Sequence, residues 1–311
     1  MRRSYARRPT RGRRSRSRFG RRSGVKKRSR RVTNRVRPMS KKQILDLTST
    51  KKHDTIVGLN LKQSSGEPVY TVSMGSGQNF MLWCPTARFR GGRGQNNPQV
   101  RSSDDVFWKG VSDNLHIETT TSDPWLWRRI VFTMATPFDL GDVDVTNYTT
   151  VALDADDVLP PTGQVPNNPA SLEGIARYAR TLEELPVAQY EVVTDRIFEG
   201  VREVDYHGFS NAKTDKTEIH VLSDKTKRIV SGNDSPVMKD YKHYIPLNKR
   251  MRYTSTESGS ITQGNSQFAG DGTFGNMLHD VYILDYFEQL GTAPGYVNIS
   301  ANSKVYWHER S

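Results

Sequence analysis

The side chains best suited to chemistry with a partner are arginines, and they are concentrated at the start of this sequence. Residues 1–42 contain 16 Arg and 4 Lys, and the first acidic residue is Asp46. A guanidinium group binds phosphate through paired hydrogen bonds and stacks on flat rings, whereas a lysine ammonium acts as a point charge. We therefore predict that this segment contacts the phosphates of nucleic acid. The predicted contacts are Arg2, Arg3, Arg7, Arg8, Arg11, Arg13, Arg14, Arg16, Arg18, Arg21 and Arg22.

A second use of the same arm is indicated by "VKKRSRR", residues 25–31. Clusters of this kind are typical of nuclear import signals, although short basic motifs also arise by chance in any arginine-rich segment. The partner that the motif predicts is a nuclear import receptor. The residues that would carry the signal are Lys26, Lys27, Arg28, Arg30 and Arg31.

The segment "PWLWRRIVF", residues 124–132, places two arginines inside an apolar run. A cation in such a run must be paired or must face a polar space, because an unpaired buried charge is costly. Two interpretations stay open. In the first, Arg128 and Arg129 contact phosphate while the neighbouring tryptophans stack on bases. In the second, Trp125 and Trp127 belong to the core, and the arginines form ion pairs with acidic residues of the body.

The residue patterns of common enzyme classes are missing from the sequence. The seven histidines form no HxH or HExxH pair, Cys84 is the single cysteine, and no P-loop or GxSxG motif occurs. The acidic stretch at 139–157 does not have the spacing of an EF-hand loop. We therefore predict a protein that is not an enzyme and that has no metal and no cofactor.

The net charge divides into two unlike parts. The chain carries +13, from 46 basic and 33 acidic residues, and residues 1–42 alone carry +20, so the remainder has 26 basic and 33 acidic residues and a net charge of −7. Basic arms on otherwise ordinary domains usually engage nucleic acid. The arm has too few apolar residues to fold, so we predict that it is disordered.

No apolar stretch approaches transmembrane length, which predicts no membrane insertion.

Residues 43–311 form the predicted folded body, and their dominant pattern is the period-two alternation of β-strands. Such strands bury one face and leave the other face wetter. Alternation is clear in "HDTIVGLNL" (53–61), "NLHIETTT" (114–121), "KHYIPLNKRMRY" (242–253) and "YVNISANSKVYW" (296–307).

Other runs are apolar on both faces, which predicts central strands that are covered on both sides or that face another subunit. These runs are "FMLWC" (80–84), "WLWRRIVFTMA" (125–135) and "DVYILDYF" (280–287). Further strands are predicted at 188–198 and at 217–222, the latter paired with "KRIVS" at 227–231.

One helix is predicted, at "PASLEGIARYARTLEEL" (169–185), where apolar residues recur at helical spacing and Pro186 follows. It ends a long polar insertion at about 136–186. With about eight strands and one helix, the body is predicted to be an all-β, two-sheet sandwich rather than an α/β fold.

Four segments resemble the capsid proteins of small circular single-stranded DNA viruses, most closely those of the genomovirus (gemycircularvirus-like) group, distant relatives of the geminiviruses. They are "MRRSYARRPTRGRRSRSR" (1–18), "VRPMSKKQILDLTSTKKHDT" (36–55), "PWLWRRIVF" (124–132) and "YKHYIPLNKRMRY" (241–253). The closing "SKVYWHER" (303–310) fits the last strand of that family. The resemblance spans the chain and is weakest across residues 136–186.

The resemblance implies an eight-stranded viral jelly-roll sandwich with long loop insertions, one short helix and a disordered basic N-terminal arm. It also implies self-assembly of about 60 copies into a small icosahedral shell and packaging of a circular single-stranded DNA genome. The implied location is the virion, and the host nucleus during assembly, reached through a host nuclear import receptor.

Two other functions stay open from the sequence. A jelly-roll capsid protein of an RNA virus has the same kind of basic arm. A cellular nucleic-acid-binding module with a basic arm is also compatible, although such a module usually carries positive charge on its folded face as well, and this body is negative.

Overall fold

The structure is a computed structural model, and the predicted arm lies almost entirely outside the residues that it describes. Most of the predicted insertion at 136–186 also lies outside the described residues. The same is true of most of the acidic stretch at 139–157. The described residues are 39–61, 68–69, 71–88, 99–136, 150–153, 174–178, 180–181, 187–254, 257–258, 261–262, 268–269, 276–291 and 294–310.

Strands dominate the described part of the chain. The helices are α1 (Lys41–Thr48) and α2 (Val187–Ile197). The strands are β1 (Ser49–Leu61), β2 (Pro68–Val69), β3 (Thr71–Met74), β4 (Gln78–Trp83), β5 (Asp105–Thr119), β6 (Trp125–Met134), β7 (Thr150–Leu153), β8 (Gly174–Tyr178), β9 (Arg180–Thr181), β10 (His220–Ile229), β11 (Met238–Arg252), β12 (Glu257–Ser258), β13 (Ile261–Thr262), β14 (Asp280–Gln289) and β15 (Val297–Arg310).

Eight of these strands form a jelly roll. The large sheet has the order β11-β5-β15-β1, extended by β8 and β7, and the second sheet has the order β10-β6-β14-β4-β9. Counted along the chain, the eight principal strands therefore lie 1-8-3-6 in one sheet and 2-7-4-5 in the other. This arrangement is the double Greek key of a jelly roll, and it confirms the predicted fold class.

The two sheets differ in how they are covered, as the sequence patterns predict. The large sheet buries one face only, and β1, β5, β11 and β15 alternate between buried and solvent-facing residues. The second sheet is buried on both faces, because α2 and the residues that follow it pack on its outer side around Phe80, Phe132 and Tyr286. We call residues 187–219, which form this layer, the cover.

Three sequence predictions within these elements are wrong. Residues 174–178 and 180–181, inside the predicted helix, form β8 and β9, because β8 pairs with β7 and in parallel with β1. Residues 188–198, predicted as a strand, all lie in α2 except Phe198. The predicted pair at 217–222 and 227–231 is instead mostly one continuous strand, β10, which pairs along its length with β6.

The described chain begins at residue 39, just before α1 and three residues ahead of the predicted arm boundary at residue 42. Ser40 caps the helix, since its Oγ accepts from Gln43 N at 3.3 Å and its N donates to Gln43 Oε1 at 2.8 Å. Strand β1 follows directly, so the arm is joined to the large sheet through one short helix. Among the described residues, no helix is long and apolar enough to span a membrane.

Candidate nucleic-acid interface

The outward side of strands β1, β15, β5 and β11 forms a continuous basic surface, which we call the sheet face. Register and alternation place seven basic and three acidic residues on it. The basic residues are Lys51, Lys109, Lys242, Arg250, Arg252, Lys304 and Arg310, and the acidic ones are Asp105, Glu118 and Asp240.

The three acids of the sheet face are held by neighbours on the same surface. Asp105 accepts from Arg250 Nη2 at 2.6 Å. Asp240 and Glu118 both lie within hydrogen-bond distance of the His116 ring, at 2.6 and 2.8 Å. These bonds raise the pKa of His116, and the bond to Asp240 has the larger effect. Lys109, Lys242 and Lys304 form no ion pair among the described residues, so they are available to attract an external anion.

Aromatic side chains are interleaved with these cations. Phe107 is 38% exposed and Tyr244 is 58% exposed. The Lys109 ammonium lies 5.7 Å from the centre of the Phe107 ring, and the Lys304 ammonium lies 5.6 Å from that of Tyr306. Cations that follow a phosphate backbone, alternating with rings on which bases stack, are the usual composition of a single-strand binding surface. The sheet face therefore has the chemistry to bind single-stranded nucleic acid.

The opposite side of the sandwich has the opposite charge. The cover, residues 187–219, contains seven acidic and four basic residues, a net charge of −3. Phosphate is therefore attracted to the sheet face and repelled by the cover. The sheet face, with a net charge of +4, and the cover, with −3, therefore differ in sign within a body whose net charge is −7.

Arg129 lies between the two sheets, away from the sheet face. Its Nε and Nη2 donate to the two carboxylate oxygens of Asp285 on β14, both at 2.7 Å, and its Nη1 lies 2.7 Å from Asp113 Oδ2 on β5. Burial alone would lower the pKa of Arg129, but the two carboxylates outweigh it and raise the pKa. Trp127 Nε1 donates to the same Asp285 at 2.7 Å.

Arg128 points to the other side of the second sheet and fastens the cover to it. Its Nε and Nη2 donate to Asp224 on β10 at 3.0 and 2.6 Å, and its Nη1 donates to the carbonyl oxygens of Phe209 and Ala212 at 2.6 and 2.8 Å. The ring of Phe198 lies 5.6 Å from the guanidinium carbon.

The two arginines of the Trp-Arg segment are thus structural. Arg128 is 6% exposed and Arg129 is 5% exposed, and both are bound by carboxylates of the same chain. The structure gives no support for their predicted contact with phosphate. It favours the alternative, since Trp125 and Trp127 are buried in the core and the arginines pair with acids of the body.

The other predicted sites lie outside the described residues. These are the phosphate-binding arginines from Arg2 to Arg22 and the import motif from Lys26 to Arg31, and both stay predictions. Among the residues that the structure describes, no group of His, Cys, Asp and Glu could hold a metal ion.

Sequence reasoning missed most of the sheet face, because net charge averages over surfaces. The available signal was the polar half of each alternating strand. Asn248, Arg250 and Arg252 stand out on their own strand, but only the register shows that Lys51, His308 and Phe107 lie in line with Arg250 across the sheet.

Comparison with known proteins adds little. No protein-family model matches the chain, and no curated protein matches it. Among solved structures, it is similar to VP1 of human polyomavirus 12 in complex with 3'-sialyllactosamine, at 9% identity over 84% of this chain and 82% of that chain, with a TM-score of 0.10. VP1 of trichodysplasia spinulosa-associated polyomavirus matches at 10% identity over 83% and 78%, with a TM-score of 0.08. Scores this low carry no argument, and the strand order alone defines the jelly roll.

Proposed function

We propose that this chain is a structural capsid protein that assembles into a closed shell and packages single-stranded nucleic acid. The observation that carries the proposal is a jelly roll with a basic, aromatic sheet face on the same sheet that the arginine-rich arm leads into. An inward-facing sheet face and arm would both contact the packaged strand. The acidic cover would then face away from it, so that nucleic acid is held on one side of the shell only.

The more specific proposal is a genomovirus-like capsid protein. Support comes from the resemblance of residues 36–55 and 124–132 to that family, which implies about 60 copies, a circular single-stranded DNA genome, and assembly in the host nucleus. The arm would serve first as the ligand of a host nuclear import receptor and then as a DNA tether. A protein with this role needs no catalytic site, and we propose that the chain is not an enzyme.

The test is to express the full chain, treat the lysate with nuclease and separate particles by size. We expect uniform round particles whose nucleic acid survives the nuclease. Digestion of the extracted nucleic acid with DNase or RNase then identifies it, and DNA is expected. A monomer that retains no nucleic acid would contradict the capsid proposal, and protected RNA would contradict its specific form.

A matched variant lacks residues 1–38 and keeps the Ser40 cap and α1. It should fold and form particles, because the folded body is intact, but it should lose most of the protected nucleic acid. Particles of this variant that carry as much nucleic acid as the full chain would show that the arm is not the tether.

A further inference from the structure

A pocket of about 330 Å³ opens between the two sheets on the side away from β1 and β4. Strands β10 and β11 are the last strands of their sheets on this side. The pocket lies between them and reaches inward to Trp127, Arg129 and Val131 on β6. It shares Tyr244 with the edge of the sheet face and includes no residue of the cover.

The pocket has an unusual lining for the interior of a β-sandwich. Ser223, Lys225 and Lys227 of β10 lie opposite Val131, Arg129 and Trp127 of β6, so they occupy inward positions that normally carry apolar side chains. The rest of the wall is largely aliphatic. Its lining residues are Trp127, Arg129, Val131, Leu222, Ser223, Lys225, Lys227, His243, Tyr244, Ile245 and Pro246, and none of them is acidic.

Lys227 is the cation that points most clearly into this space. Its ammonium lies 5.1 Å from the Trp127 ring centre, 4.6 Å from that of Tyr241 and 3.4 Å from His243 Nε2. Desolvation, followed by repulsion from Arg129 and Lys225, lowers its pKa. Within the described part of the chain, neither Lys225 nor Lys227 forms an ion pair, so an anion in the pocket would relieve this repulsion.

The two buried carboxylates beside Arg129 are already paired and do not supply that counter-charge. Asp285 and Asp113 both bind the guanidinium of Arg129. His243 adds no negative charge either, and it is a neutral ring near pH 7. Its pKa is lowered to about 4, first by desolvation and then by Arg129 and Lys227.

The wall favours an aliphatic ligand over a nucleotide. The faces of Trp127 are already occupied, since Phe287 stacks on the ring at 5.8 Å and an interplanar angle of 5°, and Lys227 lies over it. A base would therefore find no free face on Trp127. Val131, Leu222, Ile245 and Pro246 instead offer contacts to a hydrocarbon chain.

We propose that this pocket binds an amphipathic organic anion, with its aliphatic body against Val131, Leu222 and Ile245 and its carboxylate or phosphate head at Lys225 and Lys227. The observations that carry the proposal are the inward lysines, the aliphatic wall and the acid-free lining. It does not depend on the proposed packaging of nucleic acid.

The test is titration calorimetry of the full-length protein with decanoate at physiological ionic strength. We expect saturable binding that weakens about tenfold or more in Lys227→Met, because that change removes the charge and keeps the length of the side chain. The control is Lys239→Met, which removes an exposed lysine of β11 outside the pocket and should bind decanoate like the unmodified chain. The arm is the same in all three proteins, so its own affinity for anions cancels.

Three further ligands separate the parts of the proposal. Butyrate has the head without the body, decyltrimethylammonium has the body with the wrong charge, and deoxyadenosine monophosphate offers a base. All three should bind at least tenfold more weakly than decanoate. The proposal would be overturned if the folded protein showed no saturable binding of decanoate, or if Lys227→Met bound decanoate as tightly as the unmodified chain. It would also be overturned if decyltrimethylammonium or deoxyadenosine monophosphate bound more tightly than decanoate.

Discussion

At the scale of single residues, the most consequential contact is the ion-pair cluster at the centre of the sandwich. Arg129 joins Asp285 on its own sheet to Asp113 on the other. Ser303 supports this arrangement by donating to Asp113 Oδ1 at 2.6 Å. A buried charge is tolerated only with partners in good geometry, so the cluster fixes how the two sheets face each other.

Replacing Arg129 with Leu should destabilise the fold strongly. The change leaves Asp285 and Asp113 buried without their cation, and breaking a buried pair in this way costs about 3–5 kcal/mol. Urea unfolding of the unassembled protein measures the effect. The control is Arg250→Leu, which breaks the exposed pair with Asp105 and should cost about 1 kcal/mol or less. Equal effects of the two changes would contradict a structural role of the cluster.

His243 should make the fold sensitive to acid. Its folded pKa of about 4 lies below the ordinary value of 6.5, so between these pH values the unfolded chain binds more protons. Stability is therefore lost as the pH falls from about 6.5 towards 4. We expect His243→Gln to lose less stability than the unmodified protein when urea unfolding is compared at pH 7 and pH 5.

His116 provides a control, because its protonation has the opposite effect on the stability of the fold. Its pKa is raised by Asp240 and Glu118, so its contribution is present at low pH and is lost as the pH rises through the folded pKa. His116→Gln should therefore increase the loss of stability between pH 7 and pH 5. If both variants change the loss in the same direction, the assignment of these two histidines is wrong.

At the scale of elements, the secondary-structure predictions that rested on a clear pattern of buried faces were correct, and those that rested on local propensity were wrong. Most of the principal strands were predicted correctly, because the apolar pattern of each run indicates which of its faces is buried. This holds both for the alternating runs and for the runs that are apolar on both faces. The helix prediction at 169–185 failed because pairing with β1 and β7 overrides local propensity. Residues 188–198 are rich in β-branched side chains typical of strands, yet Val193 and Ile197, four positions apart, are both buried on one side of α2.

The cover depends on Arg128, which predicts a local effect of its removal. Arg128→Leu deletes two bonds to the carbonyl oxygens of Phe209 and Ala212 and the pair with Asp224. Amide hydrogen exchange should accelerate in residues 198–219, while β5, β11 and β15 keep their protection. Arg202→Leu is a control within the cover, since its guanidinium is half-exposed and bonds to Gln78. Uniform acceleration across both sheets would argue against a local anchor.

At the scale of the whole molecule, charge is separated by sheet. The sequence shows a basic arm and a body of −7, which by itself suggests that the body avoids nucleic acid. The fold changes this interpretation, because four strands that are distant in sequence bring Lys51, Lys109, Lys242 and Lys304 to one surface. Charge on a surface follows from register, and register is not readable from composition.

The positive charge of the sheet face predicts how strongly salt should weaken the binding of single-stranded nucleic acid. If Lys242 and Lys304 contact phosphate, changing both to Gln should reduce the slope of log affinity against log salt by about 1.4, at roughly 0.7 per single-strand contact. The matched variant changes Lys213 and Lys216 of the cover to Gln, with the same loss of net charge, and should leave the slope unaltered. The measurement is fluorescence anisotropy of a labelled single-stranded oligonucleotide at several salt concentrations. The arm contributes equally to every variant, so an equal reduction by both pairs would show that binding responds to net charge, and that the sheet face is not an interface.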